Sequence, residues 1–268
     1  MAFLTPPALP PDLTKKLLTP SWRLKNLYNI RTKDGRISLF EPNPAQFDYL
    51  KQETPRDIIL KARQLGFSTV KLLTYLDRTL FTPNTTTCIM AHRKETMERL
   101  FRMIKFAYDM YPRDIPKLPA KYDNKNELFF PDFNSTIYVS LEARGDTIHN
   151  LHVSELAHMD NAEDRLIASI AAVPPYGRIS IESTANGVGD YFYDFYHSAP
   201  SRGFKRFFYP WTFAKEYEMD PIGVEFTNED RQYQSVHSLT ERQLAWWKMQ
   251  KSLFKDKFPQ EYPITPQE

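Results

Sequence analysis

Hydrophobic positions in the middle of the chain alternate between short continuous runs and longer stretches with helical spacing. Residues 56–62, with the apolar run Ile58-Ile-Leu60 at their centre, predict a short buried strand, and residues 68–80 repeat Val and Leu at the period of a helix. The alternation continues, with strands predicted at 85–91, 151–153, 178–182 and 204–209 and helices at 94–111, 162–173 and 190–197. A hairpin is predicted within 120–141. This order favours an α/β fold with a mainly parallel central sheet flanked by helices.

The two ends of the chain differ from this pattern. Residues 1–40 are rich in proline and then in basic side chains, which predicts an extended N-terminal arm with one short helix near 12–18. Residues 41–211 carry the alternating pattern and are predicted to form the core. Residues 212–268 are polar and irregular until Thr240-Glu-Arg-Gln243, a capping box that opens a helix. We therefore predict a small C-terminal lid subdomain at 212–268.

Composition narrows the classes of protein that this sequence can encode. Thirty-five Lys and Arg against 33 Asp and Glu give a net charge of +2, so bulk charge does not indicate a nucleic-acid-binding protein. The single Cys88 excludes an internal disulfide and a cysteine-based zinc site. No apolar stretch is long enough to span a membrane. With only 8 glycines, the chain contains neither a G-x-G-x-x-G loop nor a standard G-x-x-x-x-G-K-[ST] loop.

A phosphate-binding loop is nevertheless predicted where the first core strand ends. The segment Lys61-Ala-Arg-Gln-Leu-Gly-Phe-Ser-Thr69 joins a strand to a helix through a turn that holds one glycine. Amides at a helix N-terminus bind phosphate oxygens, and a hydroxyl there can ligate Mg²⁺. Phe67 stands where lysine is usual, so the cation comes from Lys61 or Arg63. The candidate nucleotide-binding residues are Lys61, Arg63, Gln64, Leu65, Gly66, Phe67, Ser68 and Thr69, although an ordinary strand–turn–helix has the same outline.

Polar side chains also follow two later strands. Leu151-His-Val-Ser-Glu155 ends in a carboxylate that is placed to polarise an attacking water, and Ser154 stands where an aspartate usually precedes that glutamate. We therefore expect the hold on Mg²⁺ to be weaker or differently arranged. Ser183 and Thr184 follow the next strand, where hydroxyls could sense a γ-phosphate. Each feature alone is common in surface loops, but ligands of open α/β sheets bind at this edge of the sheet.

Taken together, these motifs resemble the ATPase domain of phage large terminases, the DNA-packaging motors. The resemblance rests on KARQLGFST, LHVSELAH, STANG and FKRFFYPW, and it runs from about Gln46 to the C-terminus. It implies a P-loop NTPase of the additional-strand type whose cation is Lys61, at the loop start. It further implies that Gln46 contacts adenine, Glu155 is the catalytic glutamate and Arg144 is a trans-acting arginine finger. Ser183 and Thr184 would form the coupling motif, and Ser68, Ser154 and Glu155 would surround Mg²⁺.

The resemblance also implies a biological role. ATP hydrolysis would drive double-stranded DNA into a procapsid, in the host cytoplasm and transiently at the portal vertex. The motor would be a homo-oligomeric ring that meets a portal and a small terminase subunit. The chain ends where a linker to a C-terminal nuclease domain would begin, so we expect no DNA cleavage. Two alternatives stay open: a helicase-like nucleic-acid translocase, and an ATP-binding assembly module with little turnover.

Overall fold

The structure is a computed structural model, and it describes residues 10–121, 126–143, 145 and 147–267. Its strands are β1 (Asn29–Arg31), β2 (Ile37–Leu39), β3 (Arg56–Lys61), β4 (Thr86–Met90), β5 (Glu127–Phe130), β6 (Ser135–Ser140), β7 (Asn150–Ser154), β8 (Arg178–Ser183) and β9 (Lys205–Tyr209). Its helices are α1 (Pro11–Leu17), α2 (Pro20–Asn26), α3 (Pro44–Gln52), α4 (Phe67–Phe81), α5 (Lys94–Asp109), α6 (Ala162–Ala171), α7 (Tyr191–Ser198), α8 (Asn228–His237), α9 (Glu241–Phe254) and α10 (Phe258–Glu261).

The central sheet has the strand order β5-β6-β4-β7-β8-β3-β9. All neighbours in it run parallel except β5, which is antiparallel to β6 and forms the predicted hairpin. Strand β8 lies between β3, which leads into the phosphate loop, and β7, which leads into Glu155. The predicted α/β class is thus confirmed, and β8 is the additional strand that the predicted fold type requires between β3 and β7. Because these strands are parallel, their carboxyl ends lie together at one edge.

Helices cover both faces of this sheet, as the apolar runs on its strands require. Ile58 and Ile59, consecutive on β3, belong to opposite hydrophobic clusters because successive side chains on a strand point to opposite faces. One cluster holds residues of α4 and α5 together with those of the N- and C-terminal segments. The other holds residues of α6 and α7. Every core strand and helix predicted from residue 56 to residue 209 is present, with small shifts at the ends.

The terminal segments contain more regular structure than the sequence predicted. In the N-terminal region, α2 and the β1–β2 hairpin accompany the predicted short helix, so this segment is not simply extended. Arg23 of α2 forms a bidentate pair with Asp77 of α4, and Tyr28 also donates a hydrogen bond to Asp77. The capping box at Thr240 opens α9 as predicted. The boundaries at 40 and 211 stay a prediction.

None of the helices in the described ranges has the length and apolarity needed to cross a lipid bilayer.

Candidate functional site

Three charged side chains meet at the carboxyl ends of β3, β7 and β8. The Lys61 ammonium lies 2.9 Å from Glu155 Oε1 and 3.2 Å from Glu182 Oε2. Lys61 and Glu182 are fully or almost fully buried, and Glu155 is mostly so. A buried lysine between two carboxylates is costly unless it has a specific role or complete pairing, which makes this cluster the leading candidate for chemistry.

The electrostatics of the cluster follow from this pairing. Burial alone would lower the pKa of Lys61, but the charges of Glu182 and Glu155 outweigh burial and raise it. Burial alone would raise the pKa of Glu155, but the Lys61 charge and hydrogen bond, with the Thr184 amide, lower it. Both groups are therefore ionised at neutral pH. The site therefore holds a buried ammonium between two carboxylates.

Glu182 links the cluster to the phosphate loop. Its Oε1 accepts hydrogen bonds from Ser68 Oγ at 2.6 Å and from Ser154 Oγ at 3.0 Å. Ser154 and Glu182 are register partners on β7 and β8, so their side chains lie side by side on one face of the sheet. The Ser68 hydroxyl, which was predicted to ligate Mg²⁺, thus donates a hydrogen bond to a buried carboxylate on β8, the strand between β7 and β3.

The loop from Lys61 to Ser68 makes a tight turn around Gly66. Gly66 has φ of 76°, in the left-handed region, and Gln64 has φ of 57°. The Gly66 carbonyl accepts a hydrogen bond from Gln46 Nε2 at 2.7 Å, while Gln46 also completes a capping box with Asn43 at the start of α3. No described side chain caps the amino end of α4. The amides of Phe67, Ser68 and Thr69 are therefore available to an anion.

Phe67 explains why this loop has no lysine at the usual position. Its ring is 1% exposed and packs edge-on against Tyr49 and, tilted, against Tyr209 at a centroid distance of 4.8 Å. The side chain at this position points into the hydrophobic core, so only its backbone amide faces the loop. This position therefore brings no cation to the loop, and Lys61 is a basic residue that the fold brings into the acidic cluster.

Glu155 is held in an unusual backbone conformation. It has φ of 59°, which costs a non-glycine residue about 1–2 kcal/mol. Its amide donates to Glu182 O at 2.7 Å. Its Oε2 accepts from the Thr184 amide at 3.2 Å, and the hydroxyls of Ser183 and Thr184 lie within 3.5 Å. Strain of this kind concentrates at functional sites, where the surroundings fix one orientation of the side chain.

The remaining predicted residues are placed as follows. The Arg63 guanidinium is half exposed and pairs with Glu261 of α10 at 2.9 Å rather than with the central cluster. Gln64 and Leu65 present their carbonyls to Lys33 and to Asn43. Arg144 lies outside the described residues. In the ranges described, no group of three or more His, Cys, Asp or Glu side chains is arranged to hold a metal ion.

Glu182 is a member of the cluster that was not among the predicted site residues. The segment 178–182 predicts a strand, and the predicted site residues were the two hydroxyls that follow it, Ser183 and Thr184. A signal was present: Ser154 replaces an acid, and a parallel neighbour with a carboxylate at its end can supply one. Whether Glu182 lies in register with Ser154 is decided by tertiary pairing, which one sequence does not contain.

Comparison with solved structures identifies the fold. The ATPase domain of the large terminase of Thermus phage P74-26 matches with a TM-score of 0.58 at 15% identity, covering 84% of this chain and 94% of that chain. A mutant of that domain gives 0.59 at 14% identity, with the same coverage. The large terminase of another thermophilic bacteriophage, in complex with ATP-gamma-S, gives 0.50 at 12% identity over 75% of this chain and 50% of that one.

At the level of sequence, no protein-family model matches the chain, and the search of curated proteins gave no match. The likeness therefore lies in the arrangement of strands and helices. The resemblance predicted from the motifs is confirmed at that level: the protein has the α/β fold of the ATPase domains of phage large terminases.

Proposed function

We propose that this protein hydrolyses ATP at the carboxyl edge of β3, β7 and β8. The observation that carries the proposal is the burial of the Lys61 ammonium between Glu155 and Glu182, beside an uncapped helix N-terminus. An uncapped amino end, a fixed cation and an oriented carboxylate are the parts that phosphoryl transfer to water requires. A cluster with only a structural role would not require an uncapped helix, a buried ammonium and an oriented carboxylate at the same edge of the sheet.

Each residue has a distinct part in the proposed reaction. The amides at the start of α4 and the Lys61 ammonium bind the β- and γ-phosphates. Glu155 accepts a proton from a water while the oxygen of that water bonds to the γ-phosphorus. The bond from the γ-phosphorus to the β–γ bridging oxygen breaks. ADP and phosphate leave. Thr184 and Ser183 fix the carboxylate of Glu155 through its second oxygen.

Mg²⁺ fits the donor set beside the loop, since a Ser hydroxyl and a buried carboxylate lie together at Ser68 and Glu182. When bound, the ion would neutralise charge on the β- and γ-phosphates. Ser68 would be its protein ligand, as in other P-loop sites. Ser154 donates to Glu182 and carries no charge, so it would act only as a neighbour of the ion.

Nucleotide binding must rearrange the lysine. Lys61 already contacts two carboxylates, and an incoming phosphate competes with them for the same ammonium. We propose that Lys61 leaves Glu155 for the phosphates while it keeps Glu182. Glu155 is then released to face the water, still oriented by Thr184.

Contacts beyond Thr184 support the proposed coupling to the C-terminal segment. Asn186, which follows the coupling motif, donates to Ala157 O and accepts a hydrogen bond from Gln260 of the α10 segment at 3.3 Å. Arg63, beside the loop, pairs with Glu261. We propose that movements of Glu155 and Thr184 during hydrolysis reach the 212–268 lid through these two links.

We further propose that hydrolysis drives translocation of double-stranded DNA, within a homo-oligomeric ring whose subunits complete one another's sites. Support for this part is the likeness of the fold to terminase ATPase domains and the motif order. In such a ring Arg144 would act on the neighbour's γ-phosphate, and a portal and a small terminase subunit would be partners at the procapsid in the host cytoplasm.

The first experiment measures ATP binding and turnover separately. Glu155→Ala should bind ATP and lose turnover, because the loop and Lys61 remain while the base is gone. Glu163→Ala, at the start of α6 and away from the cluster, is the matched control and should behave as wild type. Unchanged turnover in Glu155→Ala would overturn the assignment.

A mixing experiment addresses Arg144. An Arg144→Ala subunit and a Glu155→Ala subunit are each inactive in this proposal, but a mixed ring contains sites with a good glutamate and a neighbour's good arginine. Turnover should therefore reappear on mixing. If it does not, Arg144 acts within its own subunit or has no role.

One observation favours a second candidate, an ATP-binding assembly module with little turnover. Glu155 is held by Lys61 and by the Thr184 amide, an arrangement that suits nucleotide binding better than hydrolysis. Single-turnover hydrolysis at low and high protein concentration separates the two. A motor should accelerate as subunits associate, whereas a binding module should stay slow at both concentrations.

A further inference from the structure

The phosphate loop lacks the acid that usually accompanies its hydroxyl. In P-loop enzymes, the loop Ser or Thr ligates Mg²⁺ and an aspartate from the neighbouring acidic strand helps to hold the ion. Here that strand, β7, offers Ser154, whose hydroxyl has no charge. A site with only Ser68 would hold the ion weakly, because Mg²⁺ prefers carboxylate and phosphate oxygens with several retained waters.

Glu182 on β8 lies where the missing carboxylate is needed. It is fully buried, and its Oε1 accepts hydrogen bonds from both Ser68 and Ser154. Its register partner across the sheet is Ser154 itself. The carboxylate of this site therefore stands on β8 rather than on β7, at the adjacent register position of the same sheet edge.

The two acids of the site have different neighbours. Glu155 contacts Ser183 and Thr184, away from the loop hydroxyl, whereas Glu182 contacts Ser68 directly. Lys61 lies between the two carboxylates, at 2.9 Å from the first and 3.2 Å from the second. This separation lets one carboxylate serve the attacking water and the other serve the metal side of the nucleotide.

We propose that Glu182 is the positioning residue for the divalent cation of this site. It orients the Ser68 hydroxyl and accepts hydrogen bonds from the cation's water shell, in place of the acid that β7 lacks. The inference rests on the proposed nucleotide site and deepens it. Its competitor is a structural role, in which Glu182 only neutralises buried Lys61.

The test compares nucleotide affinity with and without the metal. The Kd of a fluorescent ADP analogue is measured in Mg²⁺ and in EDTA. For each variant, the Kd in EDTA is divided by the Kd in Mg²⁺, and this ratio measures how much the metal strengthens binding. Glu182→Gln keeps the shape and an acceptor for Ser68 but loses the charge. The ratio should fall by about 10–100-fold, the usual cost of removing a group that orients a metal site. Ser180→Ala, on the same face of β8, is the matched control and should keep the wild-type ratio.

A second variant moves the carboxylate back. Glu182→Ser alone should lose the metal dependence, and Ser154→Asp added to it should restore a large part, because the two positions are adjacent in register. Mn²⁺ binding in the presence of ADP can be measured as the decrease of the electron paramagnetic resonance signal of free Mn²⁺. This decrease should be large in wild type, small in Glu182→Ser and largely restored when Ser154→Asp is added. If Glu182→Gln proves unstable, the swapped pair, which retains a buried acid, carries the test.

The outcomes separate this inference from the proposed function. A wild-type protein that binds no adenine nucleotide in either buffer contradicts the proposed function itself. A wild-type protein with a metal-dependent Kd, but with the same ratio in Glu182→Gln, contradicts only the role of Glu182 and leaves the structural one. A swapped pair no better than Glu182→Ser contradicts it as well.

Discussion

Replacing Gly66 by alanine tests whether the turn of the phosphate loop is fixed by its contact with α3. Gly66 has φ of 76°, and a Cβ built on it would lie 2.5 Å from Gln46 Nε2. Real Cβ atoms do not come that close to a nitrogen, so the Gln46 amide must move. That amide donates to the Gly66 carbonyl at 2.7 Å, and the same side chain caps α3. The substitution therefore strains the backbone and breaks a buried contact at once.

Two costs add in this variant. An alanine in the left-handed region costs about 1–2 kcal/mol. Displacing Gln46 removes its hydrogen bond to the Gly66 carbonyl, which keeps the Val70 amide as a donor, so this loss costs about 0.5–1.5 kcal/mol. We expect Gly66→Ala to lower the free energy of unfolding by about 1.5–3.5 kcal/mol in total. Gly187→Ala is the matched control, because Gly187 has φ of 98° and open space around a Cβ. It should show only the backbone cost.

Urea unfolding of four proteins measures the difference: wild type, Gly66→Ala, Gln46→Ala and the double variant. Because Gln46→Ala removes the atom that meets the new Cβ, the two costs should be less than additive, by about 1 kcal/mol or more. Nucleotide affinity should fall in Gly66→Ala and not in Gly187→Ala. Equal destabilisation by Gly66→Ala and Gly187→Ala, or full additivity in the cycle, would show that the contact with Gln46 does not fix this turn.

Three further predictions concern buried groups elsewhere. Phe67→Lys, which restores the usual loop lysine, should destabilise the fold by about 3 kcal/mol or more in thermal unfolding, because the side chain points into an aromatic cluster; an active, stable variant would contradict this. Arg23→Met should cost about 3–5 kcal/mol by leaving Asp77 buried and unpaired, and adding Asp77→Leu should recover much of it in urea titrations. Burial would raise the pKa of Glu53, but the charges of Lys71 and two arginines lower it below the ordinary value. The stability that ionised Glu53 gives the fold is therefore present above the ordinary glutamate pKa and is lost as the pH falls through the lowered pKa. The stability deficit of Glu53→Gln should therefore be largest near neutral pH and shrink in acid, and a pH-independent deficit would oppose this explanation.

The sheet and its flanking helices could be predicted because they bury regular faces. The run 56–62 is a strand buried on both sides, and α5 repeats its apolar side chains at helical spacing, so each pattern has one interpretation. The positions of Lys61, Glu155 and Thr184 followed, because parallel strands end at one edge. Their contacts in the structure agree with that placement.

Elements without an apolar face were missed. In α8, Asp230 is the buried residue, and it is paired with Lys248 of α9. Only the capping box at Thr227 marked this helix in the sequence. Helix α3, which the capping box at Asn43 opens, was also not predicted, although it buries Ala45 and Tyr49. A helix such as α8 is specified by its amino end and by its tertiary partner, and hydrophobic periodicity does not detect it.

The choice between Lys61 and Arg63 illustrates the same limit. Both are basic and lie two residues apart in the loop; the position at the loop start favours Lys61, and Arg63 is the alternative. In the structure the Arg63 guanidinium pairs with Glu261 of α10, whereas Lys61 ends β3 inside the acidic cluster. These partners lie far along the chain, so the sequence alone does not contain the pairing.

Buried Lys61 is proposed as the cation of an ATP site, and a crystal structure with Mg²⁺ and a non-hydrolysable ATP analogue would show whether it is. We predict that the Lys61 ammonium has left Glu155 and lies within hydrogen-bond distance of a β- or γ-phosphate oxygen, with the amides of Phe67 and Ser68 on the same phosphates. Phosphates held by Arg63 or bound elsewhere, with Lys61 still paired to Glu155, would contradict the claim.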